Sequence, residues 1–248
     1  EISLNFQPKI DLRSGTLVGA EALARWTHPV HGEVPPAQFV PILEQTGLVA
    51  EFTLQVLDMA VCYCKQCERA GYEISVAVNL SVHNLRDESL PDQVEDILAE
   101  HELESRHLTL EITESAVMDD YMRSIEVLGE LSDMGIELSI DDFGTGYSSL
   151  GYLKRMPVQQ LKIDRTFVSD MLTDRDDAVI VRSTIDLAHN LGLETVAEGV
   201  ETEEVLAALG EMGCDQAQGF LISRPLPKEE FSRFLDNCEW IVASADAA

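Results

Sequence analysis

The pattern of apolar and polar residues divides the chain into short apolar strands and longer amphipathic helices. Apolar runs bounded by turn residues predict eight strands, at residues 3–10, 17–24, 74–80, 107–112, 137–140, 160–163, 194–197 and 215–221. Apolar positions three and four residues apart predict helices at 36–45, 51–70, 92–101, 120–134, 147–155, 176–191, 202–211 and 228–237. Gly135, Gly192 and Gly213 stand where three of these helices end, as the preference for glycine after a helix C-terminus predicts.

The order of these elements favours a closed barrel of the α/β class. The link 11–16 between the first two strands is too short for a parallel crossover, so these two strands are expected to be antiparallel. From residue 74 onward, strands and helices alternate as in a (β/α)8 TIM-like barrel, and a doubly wound open sheet is the structural competitor. Because no internal repeat, Gly/Pro-rich linker or low-complexity tract divides residues 1–248, we expect a single domain.

A polar residue stands at or near the end of almost every predicted strand. These residues are Glu21, Asn79, Glu111, Asp141 with Asp142, Lys162, Glu198 and Gln218. In a closed barrel such strand ends converge on the face where barrel active sites lie. Glu21 and Arg25 share one face of their strand, with Leu23 between them, so both can point inward. Five acids, two amides and a lysine around a barrel mouth resemble a two-metal hydrolytic site.

The stretch 137–164 carries the most specific chemistry, because an apolar strand there ends in two adjacent acids. Hard divalent cations prefer oxygen ligands, so Asp141 and Asp142 can bind metal. Neighbouring side chains on a regular strand point to opposite faces, so the pair can share one site only if the chain turns. Gly144 and Gly146, in a loop rich in hydroxyl groups, allow such a turn. The alternative is an acidic surface turn.

Composition and charge exclude several classes of function. The 17 basic and 45 acidic residues give a formal net charge of −28, which argues against binding long nucleic acid or docking on an anionic membrane. There is no uninterrupted apolar run of about 18 residues that would span a membrane. Five irregularly spaced cysteines indicate reduced thiols and a cytoplasmic setting. Cys62, Cys64 and Cys67 do not share one helix face, which disfavours a zinc site there.

Seven motifs in order along the chain resemble the EAL family of cyclic di-GMP phosphodiesterases. They are VGAEALARW at 18–26, VNLS at 78–81, LEITES at 110–115, IDDFGTGYSSL at 140–150, LKID at 161–164, AEGVE at 197–201 and QGFLISRPLP at 218–227. The resemblance covers nearly the whole chain. It implies a barrel whose first strand is antiparallel, in agreement with the hairpin above. It also implies metal-dependent hydrolysis of cyclic di-GMP to linear pGpG with Mg²⁺ or Mn²⁺.

The resemblance also implies a role for each site residue. Glu21, Asn79, Glu111 and Asp141 correspond to the ligands of one metal, and Asp141 with Asp142 to those of a second. Glu198 is the candidate general base, with Lys162 orienting the water or balancing charge, and which of the two takes the proton is left open. The substrate-binding residues implied are Arg25, Gln7, Leu23 and Gln218. Glu114 and Glu201 are expected to lie behind the ligands and steady the loop 144–149, with plain surface acids as the alternative.

Three further expectations concern the surroundings of the domain. Because the chain begins with Glu1 rather than Met, we interpret it as an EAL domain from a larger multidomain signalling protein with a sensor or GGDEF-type domain. A cytoplasmic domain that does not contact the membrane, and that can form a homodimer, is expected, with a membrane anchor elsewhere in the parent left open. A related module that senses cyclic di-GMP without cleaving it, and a barrel enzyme for another phosphate ester, are the competing functions.

Overall fold

Eight strands close into a barrel in which seven run parallel and the first runs antiparallel to both of its neighbours. The computed structural model describes residues 1–144, 150–237 and 240–242. Its strands are β1 Ile2–Asp11, β2 Thr16–His28, β3 Gly32–Val34, β4 Ser75–Leu80, β5 Leu108–Thr113, β6 Glu137–Phe143, β7 Gln160–Ile163, β8 Glu194–Ala197, β9 Gln216–Gln218, β10 Leu226–Pro227 and β11 Ile241–Val242. The barrel order is β1-β9-β8-β7-β6-β5-β4-β2, closed by pairing of β2 with β1. The (β/α)8 barrel with an antiparallel first strand is therefore confirmed.

Helices on the outside of the barrel connect successive strands. They are α1 Pro36–Thr46, α2 Val49–Arg69, α3 Val82–Leu85, α4 Leu90–His101, α5 Glu114–Asp119, α6 Tyr121–Asp133, α7 Leu150–Leu153, α8 Arg165–Asp170, α9 Arg175–Asn190, α10 Glu203–Met212 and α11 Lys228–Asn237. A short 3₁₀ turn, Ser105–His107, precedes β5. Gly135, Gly192 and Gly213 all have positive φ just after a helix, as predicted for C-terminal caps.

The structure departs from the predicted elements at several boundaries. β2 continues to His28 and pairs with the short β3, and β6 continues through both acids to Phe143 instead of ending at Ile140. β9 is shorter than the predicted strand 215–221, because the chain turns after Gln218. The short helices α3, α5 and α8 were not predicted, since four to six residues are too few for a helical period to show. Several predicted features lie outside the described residues: the start of the helix 147–155, Gly146, Cys238 and the tail 243–248.

The apolar core lies between the barrel and its helices, which leaves most of the interior of the barrel to polar side chains. On β5, Leu108, Leu110 and Ile112 belong to the buried core together with residues of the surrounding helices. The alternate residues Thr109 and Glu111 are also buried but point to the opposite face, which is the barrel interior. Burial of each large apolar side chain contributes roughly 1.5–3 kcal/mol to folding. The strands are thus anchored from outside while their inner face carries chemistry.

Two findings bear on the chemical setting of the domain. Among the described helices, none combines the length and the apolar character that a segment crossing a bilayer requires. Cys62, Cys64, Cys67 and Cys214 are free thiols, and Cys64, Cys67 and Cys214 are buried. Burial raises the pKa of Cys64 to about 12 and that of Cys67 to about 11, so both remain protonated core residues.

A test of this packing is available at Gly219, the residue after β9. A Cβ atom there would lie 2.1 Å from the carbonyl oxygen and 2.3 Å from the amide nitrogen of Val200, and backbone atoms cannot move aside as a side chain can. Gly219→Ala is expected to lower the free energy of unfolding by about 1–3 kcal/mol, measured by urea denaturation. Gly210→Ala is the control, because nothing lies within 4 Å of that position on α10. The control should gain roughly 0.5–1 kcal/mol, and equal effects of the two changes would contradict the packing described.

Candidate active site

The predicted polar residues meet inside the barrel at the carboxyl ends of the parallel strands. Register places Gln7 of β1 opposite Glu21 of β2, and Asn79 of β4 beside Glu111 of β5. Because side chains alternate along each strand, these residues share the inner face of the sheet. The predicted convergence on one barrel mouth is therefore seen in the structure.

The centre of this mouth is the ammonium group of Lys162, on β7. Its Nζ lies 2.7 Å from Glu111 Oε2, 2.7 Å from Glu198 Oε1, 3.2 Å from Asp141 Oδ1 and 3.8 Å from Glu21 Oε2. The side chain of Lys162 is 1% exposed. Hydrogen bonds between charged groups are stronger than neutral ones, so Lys162 holds together Glu111, Asp141 and Glu198, which lie on β5, on β6 and just after β8.

Hydrogen bonds fix the orientation of Glu21. Asn79 Nδ2 donates to Glu21 Oε1 at 2.8 Å, and Gln218 Nε2 donates to Glu21 Oε2 at 2.7 Å. Gln218 Nε2 also donates to Gln7 Oε1 at 3.1 Å. Burial alone would raise the pKa of Glu21, but Lys162 and these two amide donors outweigh burial and lower it. Glu21 is therefore held as a carboxylate with a defined direction.

The two adjacent acids share the site because Asp142 itself takes a left-handed backbone conformation. Its φ is +54°, a region that aspartate tolerates better than most residues, and its amide donates to Asp141 Oδ1 at 2.9 Å. Opposite β7, the register shifts between Ile140 and Phe143. As a result, carboxylate oxygens of Asp141, Asp142 and Glu198 all lie within 4.8 Å of one another, as a metal site needs. The sequence predicted that the chain turns at Gly144 and Gly146. The turn that brings the two acids together is instead at Asp142, within β6.

One ammonium group does not offset the burial of four carboxylates. Burial raises the pKa of Glu111 to about 8 and that of Glu198 to about 7, although Lys162 opposes both shifts. Burial acts to lower the pKa of Lys162, but the acids around it hold its pKa well above the usual range. At neutral pH, Lys162 is therefore protonated and donates hydrogen bonds, and Glu111 and Glu198 carry protons for part of the time.

Lys9 is a charged residue of this region that the sequence analysis missed. It lies on β1 and is 2% exposed, and its Nζ is 3.8 Å from Glu111 Oε1. A signal was present, since Lys9 follows Gln7 by two residues and so shares its strand face.

Glu114 and Glu201, the two acids expected to support the site, lie in different environments. Glu114 is the first residue of α5, directly after β5, and is half-buried. Glu201 is exposed and lines a cavity beside Glu198. Residues 145–149 lie outside the described residues, so the anchoring of that loop stays a prediction.

Glu21, Glu111, Asp141 and Glu198 form a ring of acids around Lys162. Two cavities lie beside this ring, and Leu23 lines both. The first, of about 610 Å³, lies between the barrel mouth and helices α1 and α2, and its wall includes Arg25, Asn79 and Phe52. The second, of about 410 Å³, is lined by residues that include Gln7, Glu21, Glu198, Gln218 and Phe220. Arg25 donates through Nη1 to its neighbour's carbonyl, Ala24 O, at 2.9 Å, so it stands in the cavity wall rather than in the ring.

Known proteins share this architecture and this sequence. The family model of the EAL domain matches residues 1–225. The bifunctional diguanylate cyclase/cyclic di-GMP phosphodiesterase MucR of Pseudomonas aeruginosa is 46% identical over 231 residues, which are 93% of this chain and 34% of MucR. The cyclic di-GMP phosphodiesterase NbdA of the same species is 41% identical over 236 residues, 95% of this chain and 30% of NbdA.

A solved structure shows the same likeness in three dimensions. The PaMucR phosphodiesterase in complex with c-di-GMP matches with a TM-score of 0.89 and 46% identity, covering 93% of this chain and 94% of that one. The chain spans about a third of the length of the curated relatives named above. By the extent of these matches, the chain belongs to the EAL-domain family.

Proposed function

We propose that this domain is a metal-dependent phosphodiesterase that hydrolyses cyclic di-GMP to linear pGpG and so lowers the level of this second messenger. One observation carries the proposal: four acids, three on strands and Glu198 just after β8, lie within 4 Å of the buried Lys162 Nζ at the mouth of an EAL-family barrel. The relatives MucR and NbdA are named cyclic di-GMP phosphodiesterases, which supports the same substrate here.

The donor set fits divalent cations of the Mg²⁺ or Mn²⁺ type. Carboxylate and amide oxygens are the ligands that such cations prefer, and carboxylate oxygens of Asp141, Asp142 and Glu198 lie within 4.8 Å of one another. The first cation would be held by Glu21, Asn79, Glu111 and Asp141, and the second by Asp141 with Asp142. When bound, the cations would neutralise charge on the phosphate and lower the pKa of water.

The electrostatics favour Glu198 over Lys162 as the group that accepts a proton. Lys162 is protonated at neutral pH because its pKa is raised, so it donates hydrogen bonds and balances charge rather than accepting a proton. Glu198 has a pKa of about 7, close to a working pH, and its Oε1 accepts from Lys162 at 2.7 Å. A base is most effective with a pKa near the operating pH, and we assign the proton from the attacking water to Glu198.

The flanking cavities suit a substrate with two nucleotide halves. Their volumes of about 610 and 410 Å³ lie in the range of small-molecule sites. One half would lie beside Arg25, with Phe52 in the cavity wall, and the other beside Gln7 and Gln218, with Phe220 exposed for stacking. Leu23 would contact both halves, and the phosphodiester between them would face the acids.

The proposal includes the setting of the domain. Free thiols at the described cysteines suit the cytoplasm, where disulfides are rare. Because the chain spans about a third of relatives such as MucR, we propose further domains, among them a sensor or GGDEF-type cyclase. A homodimer through the barrel is also part of the proposal.

The activity is tested by measuring conversion of cyclic di-GMP to pGpG with Mg²⁺ or Mn²⁺. Loss of the general base typically costs 10²–10⁴-fold, and we expect a loss of about this size for Glu198→Ala and a comparable or deeper one for Glu21→Ala. Glu100→Ala, at an exposed position on α4, is the matched control and should retain wild-type turnover. A wild-type protein that binds cyclic di-GMP with metal present but leaves it intact would make the domain a receptor.

The pKa shifts predict how metal binding depends on pH. Cations bind the deprotonated carboxylates, and the raised pKa values of Glu111 and Glu198 mean that protons must leave as pH rises from 6 to 8. The affinity for Mn²⁺, measured by calorimetry, should therefore increase by about tenfold or more over this range, since each such proton contributes up to about tenfold per pH unit below its pKa. Glu198→Gln should flatten this slope. An affinity that is constant from pH 6 to 8 in the wild type would contradict the assignment.

Arg25 offers a test of substrate binding that is separate from the chemistry. Lysine keeps the charge but lacks the planar fork that binds a phosphate through two hydrogen bonds. Arg25→Lys should raise KM by about tenfold, equivalent to about 1.4 kcal/mol, with little change in kcat. Arg182→Lys on the exposed face of α9 is the control. If Arg25→Lys lowered kcat with KM unchanged, the residue would belong to the reacting centre instead.

A further inference from the structure

A row of buried polar side chains begins at Glu111, a member of the ring of acids, and continues on the next two strands one layer below the ring. Glu111, Ser139 and Gln160 are lateral neighbours on β5, β6 and β7. Each is at most 1% exposed. Ser139 and Gln160 precede Asp141 and Lys162 by two residues, so they face the barrel interior as those residues do. The site therefore has a polar floor.

Each residue of this row has an oxygen without a protein hydrogen bond. Among the described residues, Glu111 Oε1, Ser139 Oγ and Gln160 Oε1 are buried and have no donor or acceptor within reach. Leaving a buried polar group unpaired costs roughly 1–3 kcal/mol, and native structures pair such groups with protein or with ordered water. Three such oxygens on adjacent strands are groups that ordered water would pair.

Lys9 faces this row from β1, on the other side of the barrel interior. Its Nζ carries three donors and lies 3.8 Å from Glu111 Oε1, too far for a direct hydrogen bond but suited to a bridging water. Lys162 Nζ contacts the other oxygen, Glu111 Oε2, at 2.7 Å. Opposite Lys9 on β2 stands Gly19, which has no side chain.

A small cavity connects Lys9 with solvent at the amino ends of the parallel strands. It has a volume of about 260 Å³, and its lining includes Lys9, Gln160, His107, Glu137 and Gln216. His107 Nε2 is a further buried atom without a partner among the described residues. A polar space of this size holds several water molecules, since each occupies about 30 Å³ in the liquid.

We propose that Lys9 is a positioning residue, which acts through water held by Ser139 and Gln160 to fix Glu111 Oε1, so that Oε2 faces the metal centre. The proposal rests on the metal site of the proposed function. Lys9 touches neither substrate nor metal in this arrangement. One lysine holds each carboxylate oxygen of Glu111, so the orientation of the carboxylate is fixed before a cation binds. Groups that orient metal ligands in this way typically contribute 10–100-fold to metal affinity.

The experiment is calorimetric titration of Mn²⁺ into the whole domain without cyclic di-GMP. Lys9→Met removes the ammonium group at similar volume, and we expect Mn²⁺ affinity to fall by about 10–100-fold. Lys65→Met is the control, because Lys65 pairs with Glu68 on the outer helix α2 and the change in net charge is the same. The control should keep wild-type affinity. The melting temperature of each metal-free protein separates loss of positioning from loss of fold.

Each outcome decides the proposal. Equal Mn²⁺ affinity of Lys9→Met and wild type would overturn it while leaving the proposed function intact. Failure of the wild type to bind Mn²⁺ would overturn both. If Lys9→Met does not fold, a wild-type crystal structure with Mn²⁺ decides. It should show Lys9 Nζ joined, directly or through one water, to the oxygen of Glu111 that does not bind the metal. A Lys9 joined to neither oxygen would overturn the proposal.

Discussion

The buried ammonium group of Lys162 is the interaction on which the candidate site depends. Four carboxylates lie close together here with little water around them: Glu21, Glu111, Asp141 and Glu198. Without a cation among them the free-energy cost would be prohibitive, because buried like charges repel one another and lose their hydration. Lys162 offsets part of that cost but not all of it. The raised pKa values of Glu111 and Glu198 reflect the part of the desolvation cost that Lys162 does not offset. The site therefore still attracts positive charge, and a divalent cation would supply that charge.

The barrel makes this arrangement possible by separating stability from chemistry. Apolar residues on the outer face of each strand, such as Leu110 and Ile140, pack against helices and hold the strands in register. The inner face is then free to carry charged and amide groups at positions that the register fixes, as with Asn79 beside Glu111. Changes at the mouth can consequently alter chemistry while the apolar layer keeps the fold.

The sequence predicted the barrel and the members of the ring because a polar residue interrupts each apolar strand at its end. It did not predict that β6 continues to Phe143, because a single left-handed residue such as Asp142 leaves no trace in hydrophobic periodicity. Nor did it single out Lys9, since the first strand runs antiparallel and its later residues lie at the opposite barrel end from those of the other strands. The roles of the individual residues in binding and catalysis stay predictions.

Anomalous diffraction from crystals grown with Mn²⁺ would show whether the ring around Lys162 binds two divalent cations. Two anomalous peaks are expected at the barrel mouth. One should be coordinated by Glu21, Asn79, Glu111 and Asp141, and the other by Asp141 and Asp142. Lys162 should stay in contact with Glu198. Fully occupied Mn²⁺ elsewhere on the surface, with no peak inside the ring, would exclude a two-metal site at the barrel mouth.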